Sequence, residues 1–127
     1  MNFTKEYISE ADCPEIQGLR INKKSKSGKL IIRCGDWFYN KDDGFKLAYE
    51  DYFTLEETYY IWLPLSYELD DEIVKICEKK DFTYEIICAI SWFCRITKAG
   101  VPSIFIATSD NNPFLAKIKL LKELLKP

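Results

Sequence analysis

The chain has 127 residues, of which 47% are hydrophobic and 30% are charged, and its formal net charge is −2. This length suits one domain, and the high hydrophobic content with a small net charge excludes an intrinsically disordered chain. The first residues lack a basic stretch leading into an apolar run, and no stretch reaches the roughly 18 apolar residues of a membrane span, so we expect a cytoplasmic protein without signal peptide or membrane contact.

The residues before position 30 contain one predicted helix and one predicted loop. Pro14 suits the first turn of a helix and Gly18 suits its end, so a short helix is expected near residues 14–18. Residues 20–29 are polar and basic without an apolar period, which favours a mobile loop.

The middle of the chain is typical of strands. Two β-branched or aromatic runs, Lys29–Cys34 and Asp36–Tyr39, are followed by a turn signal at Asn40–Gly44. Phe45–Tyr49 should then pair back on the preceding run as a hairpin, and Thr58–Leu63 adds a further strand.

The remaining sequence favours helices. An acidic first turn after Ser66 predicts one helix, because carboxylates stabilise the positive end of the helix dipole. Thr83 resembles the cap of a second helix over Ile86–Ile96, which is apolar almost all round and therefore predicted to be central and buried.

The last elements are a possible short strand and a final helix. Residues 101–106 contain the apolar run of the strand, and Asn112 with Pro113 forms a strong helix start. The predicted buried stripe of the final helix consists of Leu115, Ile118, Leu121 and Leu125.

The order of these elements predicts an α+β fold. An antiparallel sheet of three or more strands from the first half should be packed by about three helices from the second half. We expect residues 1–127 to form a single domain.

The middle of the chain is both acidic and aromatic. Residues 36–72 contain eleven acidic and two basic residues, a net charge of −9, and eleven of the nineteen aromatic residues. Exposed aromatic side chains anchor protein interfaces and carboxylates attract basic partners, although solvated strands give the same pattern without any partner. The predicted binding residues are Trp37, Tyr39, Tyr49, Glu50, Asp51, Tyr52, Glu56, Glu57, Tyr59 and Tyr60.

Two alternatives to a protein-binding surface stay open. Arg20, Lys24 or Arg33 could converge with Trp37 on a nucleotide-like ligand, although the acidic chain carries no nucleic-acid motif and direct binding to nucleic acid is not predicted. A homodimer is the other alternative, because Leu120 and Leu124 widen the apolar face of the final helix.

The sequence contains no recognisable catalytic or metal-binding pattern, so an enzyme, a metal site and a cofactor are not predicted. There is no histidine, and the five cysteines include no CxxC pair and are odd in number, which favours free thiols. Cys13 and Cys34 are the thiols best placed to react, whereas Cys77, Cys88 and Cys94 lie on or near apolar helix faces, where a thiol is inert.

Three short motifs together resemble a family. Cys13–Leu19 (CPEIQGL), Gly35–Tyr39 (GDWFY) and Trp62–Leu65 (WLPL) are followed by a predicted aromatic helix around Trp92 and Phe93. This outline resembles small uncharacterised proteins of bacteriophages and integrated phages, although residues 65–69 replace a glutamine-rich segment of those proteins.

The resemblance implies a mobile-element origin and no catalytic residues. We therefore expect an accessory or inhibitor protein that binds a host protein. If that host protein has a basic nucleic-acid-binding surface, Glu50, Asp51, Glu56 and Glu57 could imitate phosphates.

Overall fold

The computed structural model of the protein describes residues 3–21, 29–50, 52–56, 59–88, 90–98, 100–101 and 105–126. Its antiparallel strands and its helices confirm the predicted α+β class. Contacts divide the chain into two compact units, unit 1 (Met1–Leu65) and unit 2 (Ser66–Pro127), which are described separately. The prediction that residues 1–127 form one domain stays a prediction, and most of the predicted loop at 20–29 lies outside the described residues.

Unit 1 begins with three short helical segments. They are α1 (Lys5–Ala11), α2 (Pro14–Gln17) and a 3₁₀ turn (Gly18–Arg20). The α2 helix confirms the predicted helix near residues 14–18, with Pro14 in its first turn. The α1 helix was not predicted; Thr4 caps it, because its side chain accepts a hydrogen bond from the Tyr7 N–H at 3.1 Å.

Unit 1 continues with five strands in two antiparallel sheets. The strands are β1 (Lys29–Arg33), β2 (Trp37–Asn40), β3 (Gly44–Leu47), β4 (Tyr52–Glu56) and β5 (Tyr60–Leu63). β1 pairs with β4, which the sequence analysis did not predict, and the other three pair in the order β3-β2-β5. The first half therefore supplies the predicted antiparallel strands, divided between two sheets.

The predicted hairpin is confirmed as β2 and β3. Asn40 forms its turn, because its side-chain oxygen accepts hydrogen bonds from the Asp42 and Asp43 N–H groups at 2.8 and 3.3 Å. Gly44 ends the turn with φ 85°, a backbone conformation in which a residue with a side chain would be strained.

The Gln17 side chain closes the open edge of β5. Its amide oxygen accepts from the Trp62 N–H at 2.9 Å, and its amide nitrogen donates to the Trp62 carbonyl at 2.9 Å and to the Ala11 carbonyl at 2.8 Å. Trp62 lies on the edge strand of the sheet, so the amide of Gln17 replaces the backbone of a missing neighbouring strand. Tyr7 holds the same strand end, because its hydroxyl donates to the Pro64 carbonyl.

Unit 2 combines two helices with three strands. The elements are α3 (Ser66–Lys80), β6 (Thr83–Cys88), β7 (Trp92–Thr97), β8 (Phe105–Asp110) and α4 (Pro113–Leu125). The strands form an antiparallel sheet in the order β6-β7-β8. α4 packs on β7 and β8, while α3 packs on α4 and β6, so the helices form one layer over the sheet.

The predicted central helix over Ile86–Ile96, with Thr83 as its cap, is wrong. These residues form the hairpin of β6 and β7, in which Ile86 pairs with Cys94 and Tyr84 with Ile96. A short run that is apolar on every side does not distinguish a buried helix from a strand, and its isoleucine and aromatic residues favour the strand. The second half therefore contributes two helices and a sheet rather than three helices.

The final helix begins as predicted. Asn112 is its cap, accepting a hydrogen bond from the Phe114 N–H at 2.8 Å, and Pro113 follows it. Three leucine and isoleucine residues of the predicted stripe are buried, but Leu125 is half-exposed. Leu120 and Leu124, which were predicted to widen the apolar face of this helix, are buried instead, and the homodimer stays a prediction.

Replacing Gln17 with alanine should destabilise the protein by about 3 kcal/mol, because three buried backbone groups lose their partner. Urea unfolding followed by tryptophan fluorescence measures the change. The control Glu6→Ala removes an exposed carboxylate from α1 and should change stability by less than about 0.5 kcal/mol. A loss below about 1 kcal/mol for Gln17→Ala would contradict this role of the side chain.

Candidate functional site

An aromatic face covers part of the three-stranded sheet of unit 1. It consists of Phe3, Trp37, Tyr39 and Phe45. Side chains alternate along β2, so Phe38 is buried on the opposite face of the strand. Phe45 is 41% exposed and the other three rings are half-buried, which leaves the aromatic face accessible to a partner.

The rings of the aromatic face support one another. The Phe3 ring lies 5.9 Å from the Trp37 ring and 5.7 Å from the Phe45 ring, and Phe45 meets Tyr39 edge to face at 5.3 Å. Phe45 and Tyr39 are also direct cross-strand partners of β3 and β2. The four rings therefore form a continuous cluster with fixed geometry, of which the sequence analysis had named Trp37 and Tyr39.

The other predicted aromatic binding residues do not join this cluster. Tyr49 is 83% exposed and lies beyond the last residue of β3. Tyr59 is 60% exposed and lies at the opposite end of the sheet, where its carbonyl accepts from the Lys41 N–H. Tyr60 contacts the ring of Phe38, on the face of β2 away from the aromatic face. The Tyr52 side chain lies outside the described part of the structure.

The predicted acidic residues are also dispersed. Glu50 is exposed next to Tyr49, while Glu56 is exposed in β4 and lies 3.7 Å from Lys29. Asp51 and Glu57 lie outside the described residues. Asp42 and Asp43, which the sequence analysis did not name as binding residues, are the exposed carboxylates in the turn next to the aromatic face.

Arg20, which the sequence analysis named as a candidate phosphate ligand, forms an ion pair with Asp36 inside unit 1, and its role as a ligand stays a prediction. Its guanidinium makes two contacts with the Asp36 carboxylate, at 3.0 and 3.2 Å, and lies 4.5 Å above the centre of the Trp62 ring. Asp36 also accepts from the Arg33 N–H at 2.8 Å. The positive charge of Arg20 is thus neutralised inside unit 1, and Lys24 lies outside the described residues.

The same contacts explain the motifs that resemble phage proteins. Gln17 comes from the first motif, Asp36 from the second and Trp62 from the third, and all three meet in the contacts just described. Their role in the fold accounts for these residues without a ligand. The sequence analysis named the three motifs but did not predict contacts between them, because the residues in contact lie far apart in the chain.

Two shallow grooves are lined by described residues. One, of about 430 Å³, lies in unit 1 against Asp12, Cys13, Pro14, Gln17 and Ile21. The other, of about 500 Å³, lies in unit 2 against Val74, Cys77, Glu78, Asp81, Phe82 and Tyr84. Among the described residues neither lining contains Lys or Arg, and the nucleotide-like ligand stays a prediction.

A buried polar network joins three elements of unit 2. The Lys117 ammonium donates to the Ser66 hydroxyl at 2.7 Å and to the Asp70 carboxylate at 3.0 Å, and the Tyr84 hydroxyl donates to Asp70 at 3.0 Å. Burial raises the pKa of Tyr84, and neighbouring Cys94 and Asp70 add to the rise. The network links α3, α4 and β6, and its one sequence signal was a lysine inside an apolar helical run.

The thiols fall into two classes. Cys77 and Cys94 are buried, and burial raises the pKa of both. Cys34 and Cys88 are exposed, and Cys13 is half-buried. The inert position predicted for Cys88 is wrong, because the residue ends a strand at the edge of the sheet instead of lying in a buried helix.

Two further features are absent from the described residues. The described residues include no group of three or more Cys, Asp or Glu that could hold a metal ion. They also include no helix with the length and apolar character that a membrane crossing requires.

Comparisons of the chain with protein-family models, with curated proteins and with solved structures find no match. The resemblance to phage proteins stays a prediction.

Replacing Asp36 with asparagine should cost about 3 kcal/mol, because the Arg20 guanidinium loses its two contacts with a buried carboxylate. Thermal and urea unfolding measure the loss. The matched control Asp43→Asn removes an exposed carboxylate that lies 3.9 Å from Lys46 and should have almost no effect. Equal stability of the two variants would refute the structural role of Asp36.

A thiol-reactive maleimide should label Cys34 and Cys88 of the native protein much faster than Cys77 and Cys94. Peptide mass spectrometry after timed quenching gives the rate at each site, and labelling in urea shows that all five thiols can react. Labelling of native Cys94 as fast as Cys34 would contradict its buried position.

Proposed function

We propose that the chain is a small phage-type accessory or inhibitor protein of the cytoplasm, which acts by binding a host protein through the aromatic face of unit 1. The observation that carries the proposal is the cluster of four mutually packed, partly exposed rings on the sheet. The proposal is of binding rather than catalysis.

The aromatic face has the properties of an interface anchor. Each ring has at least one neighbouring ring of the cluster with its centre 5.3–5.9 Å away, so the side chains lose little conformational freedom when a partner covers them. Phe45 lies on the edge strand β3, where a partner can reach it from the side of the sheet as well as from above. Trp37 and Tyr39 add polar groups that can pair with a partner at the rim.

The charge next to the aromatic face favours a basic partner. Asp42 and Asp43 are exposed in the turn between β2 and β3, beside Tyr39 and Phe45. A host protein with a basic, nucleic-acid-binding surface suits these carboxylates. Asp42 and Asp43 are therefore better candidates to imitate phosphates than Glu50 and Glu56, which lie apart from the aromatic face.

No observation favours the two alternative functions. Of the cations predicted for a nucleotide-like ligand, Arg20 is paired with Asp36, whereas Arg33 is exposed in β1 and Lys24 lies outside the described residues. A homodimer through the final helix loses its predicted contact because Leu120 and Leu124 are buried.

Replacing Phe45 with serine should weaken partner binding about ten-fold or more, because a few interface residues, often aromatic, contribute most of the binding free energy. Tagged protein is used to capture partners from bacterial lysate at low and high salt, and mass spectrometry quantifies each captured protein. The expected result is one stoichiometric protein that is released as salt rises and is lost from the variant.

The matched control is Phe114→Ser, which removes a phenylalanine side chain with a similar exposure of 38% from unit 2, outside both the aromatic face and the groove of that unit. This variant should capture the same partner as the wild type. Circular dichroism confirms that both variants are folded. A partner that folded Phe45→Ser captures as well as the wild type would refute the assignment of the aromatic face.

A further inference from the structure

A groove in unit 2 lies beside an open sheet edge. Its volume is about 500 Å³. α3 contributes Val74, Cys77 and Glu78 to the lining, and the segment that leads into β6 contributes Asp81 and Phe82. The groove therefore runs along one helix at the point where the chain turns back into the sheet.

The lining combines an apolar floor with an acidic rim. Residues three and four apart share one side of a helix, so Val74, Cys77 and Glu78 point the same way. Cys77 is 5% exposed and forms the floor, and Val74 is 41% exposed beside it. Glu78 and Asp81 are exposed carboxylates at the C-terminal end of α3, where the helix dipole also favours a positive charge.

β6 offers a free edge for strand pairing. It is the outermost strand of the order β6-β7-β8, and within the described part of the chain no other strand pairs with its second edge. Tyr84 reaches Asp70 of α3, so Tyr84 and Ile86, two residues further on, point to the helix side of the sheet. Ile86 is nevertheless 41% exposed, because the helix layer does not cover this part of β6.

We propose that unit 2 binds an extended peptide, which adds to the free edge of β6 and places a lysine or arginine side chain in the groove. Strand addition satisfies the unpaired backbone groups of β6 and sets the peptide side chains alternately toward and away from α3. The side chain opposite Tyr84 enters the groove, with its aliphatic stem against Val74 and Phe82 and its charged end near Glu78 and Asp81.

The next peptide side chain on the same face lies opposite Ile86. An apolar side chain there covers the exposed part of Ile86 and gains from removing both surfaces from water. Counted along the direction of β6, the preferred peptide pattern is therefore a basic residue, any residue and an apolar residue, and an antiparallel peptide carries it in the reverse order.

A cation in the last turn of α3, that of Lys80, competes with such a ligand, and Lys79 precedes it in the same turn. The Lys80 ammonium lies 5.9 Å from the centre of the Phe82 ring, which lines the groove. The ammonium of Lys75, another lysine of α3, instead pairs with the Glu72 carboxylate at 3.2 Å. Removal of the Lys80 charge should thus tighten binding of a basic peptide, which an ordinary loss-of-function variant would not do.

The test uses the full chain and a fluorescein-labelled octapeptide with Ile-Thr-Lys-Thr-Ile at its centre, which fits either strand direction, and serine and threonine elsewhere. Fluorescence anisotropy should show saturable binding, about ten-fold weaker for the same peptide with glutamate in place of lysine. NMR spectra should show that the amide resonances of residues 83–88 shift as the peptide is added. A peptide methylated at alternate backbone nitrogens should bind more weakly, because it cannot pair with the strand.

Variants assign the site. Glu78→Gln combined with Asp81→Asn should weaken binding of the lysine peptide about ten-fold. Asparagine is chosen because Asp81 has φ 57°, a conformation that asparagine also tolerates. Lys80→Gln should strengthen binding. Glu123→Gln, which removes the exposed partner of Lys126 on α4, should leave it unchanged.

Three results would overturn the proposal. They are the absence of saturable binding at millimolar peptide, equal affinity for the lysine and glutamate peptides, and resonance shifts confined to unit 1. Concentration-dependent dimerisation of the chain with protection of the β6 amides would also overturn it, because the edge would then belong to a second copy.

Discussion

The fold of unit 1 depends on how the open edge of β5 is closed. A side-chain amide carries the same donor and acceptor as a peptide group, and Gln17 uses both on Trp62 while it holds the end of α1 through Ala11. Without it, two backbone groups of an edge strand would be buried without partners, which costs more than the net gain of an ordinary hydrogen bond. One side chain therefore joins the helical start of the chain to a strand 45 residues later.

The ion pair of Arg20 and Asp36 extends the same construction. The guanidinium lies over the Trp62 ring, and the carboxylate also binds the backbone at the Arg33 N–H, in the turn that leads into β2. Buried ion pairs contribute little net stability, but removal of one partner is costly, so such a pair acts mainly to exclude other arrangements. The three short motifs of the sequence are thus explained by mutual packing, and the candidate binding residues lie elsewhere.

Local sequence signals were sufficient to predict the helices and the hairpin that begin or end at a strong cap or turn. Asn112 with Pro113, Pro14 with Gly18, and the turn at Asn40–Gly44 each fix the backbone through a short-range contact. The hairpin of β6 and β7 was mistaken for a helix because nothing within its own residues decides between the two. Its structure is fixed by pairing with β8 and by packing against two helices, which a local pattern does not contain.

The candidate site was predictable only in part for the same reason. Alternation along β2 indicated that Trp37 and Tyr39 share a face, but Phe3 and Phe45 joined them through tertiary contacts. Tyr49 and Tyr59, although close to the other strands in sequence, lie at opposite ends of the sheet. Composition identified an acidic and aromatic region, whereas the surface itself depends on strand order.

Hydrogen exchange of backbone amides, measured by NMR, tests the closure of the β5 edge most directly. Tyr60 and Trp62 are two residues apart on this strand, so their N–H groups point to the same open edge. The Trp62 amide, which donates to Gln17, should exchange far more slowly than the Tyr60 amide and at the rate of the most protected amides of unit 1. Equally rapid exchange of the two amides would show that Gln17 does not close the strand and would contradict this account of the fold.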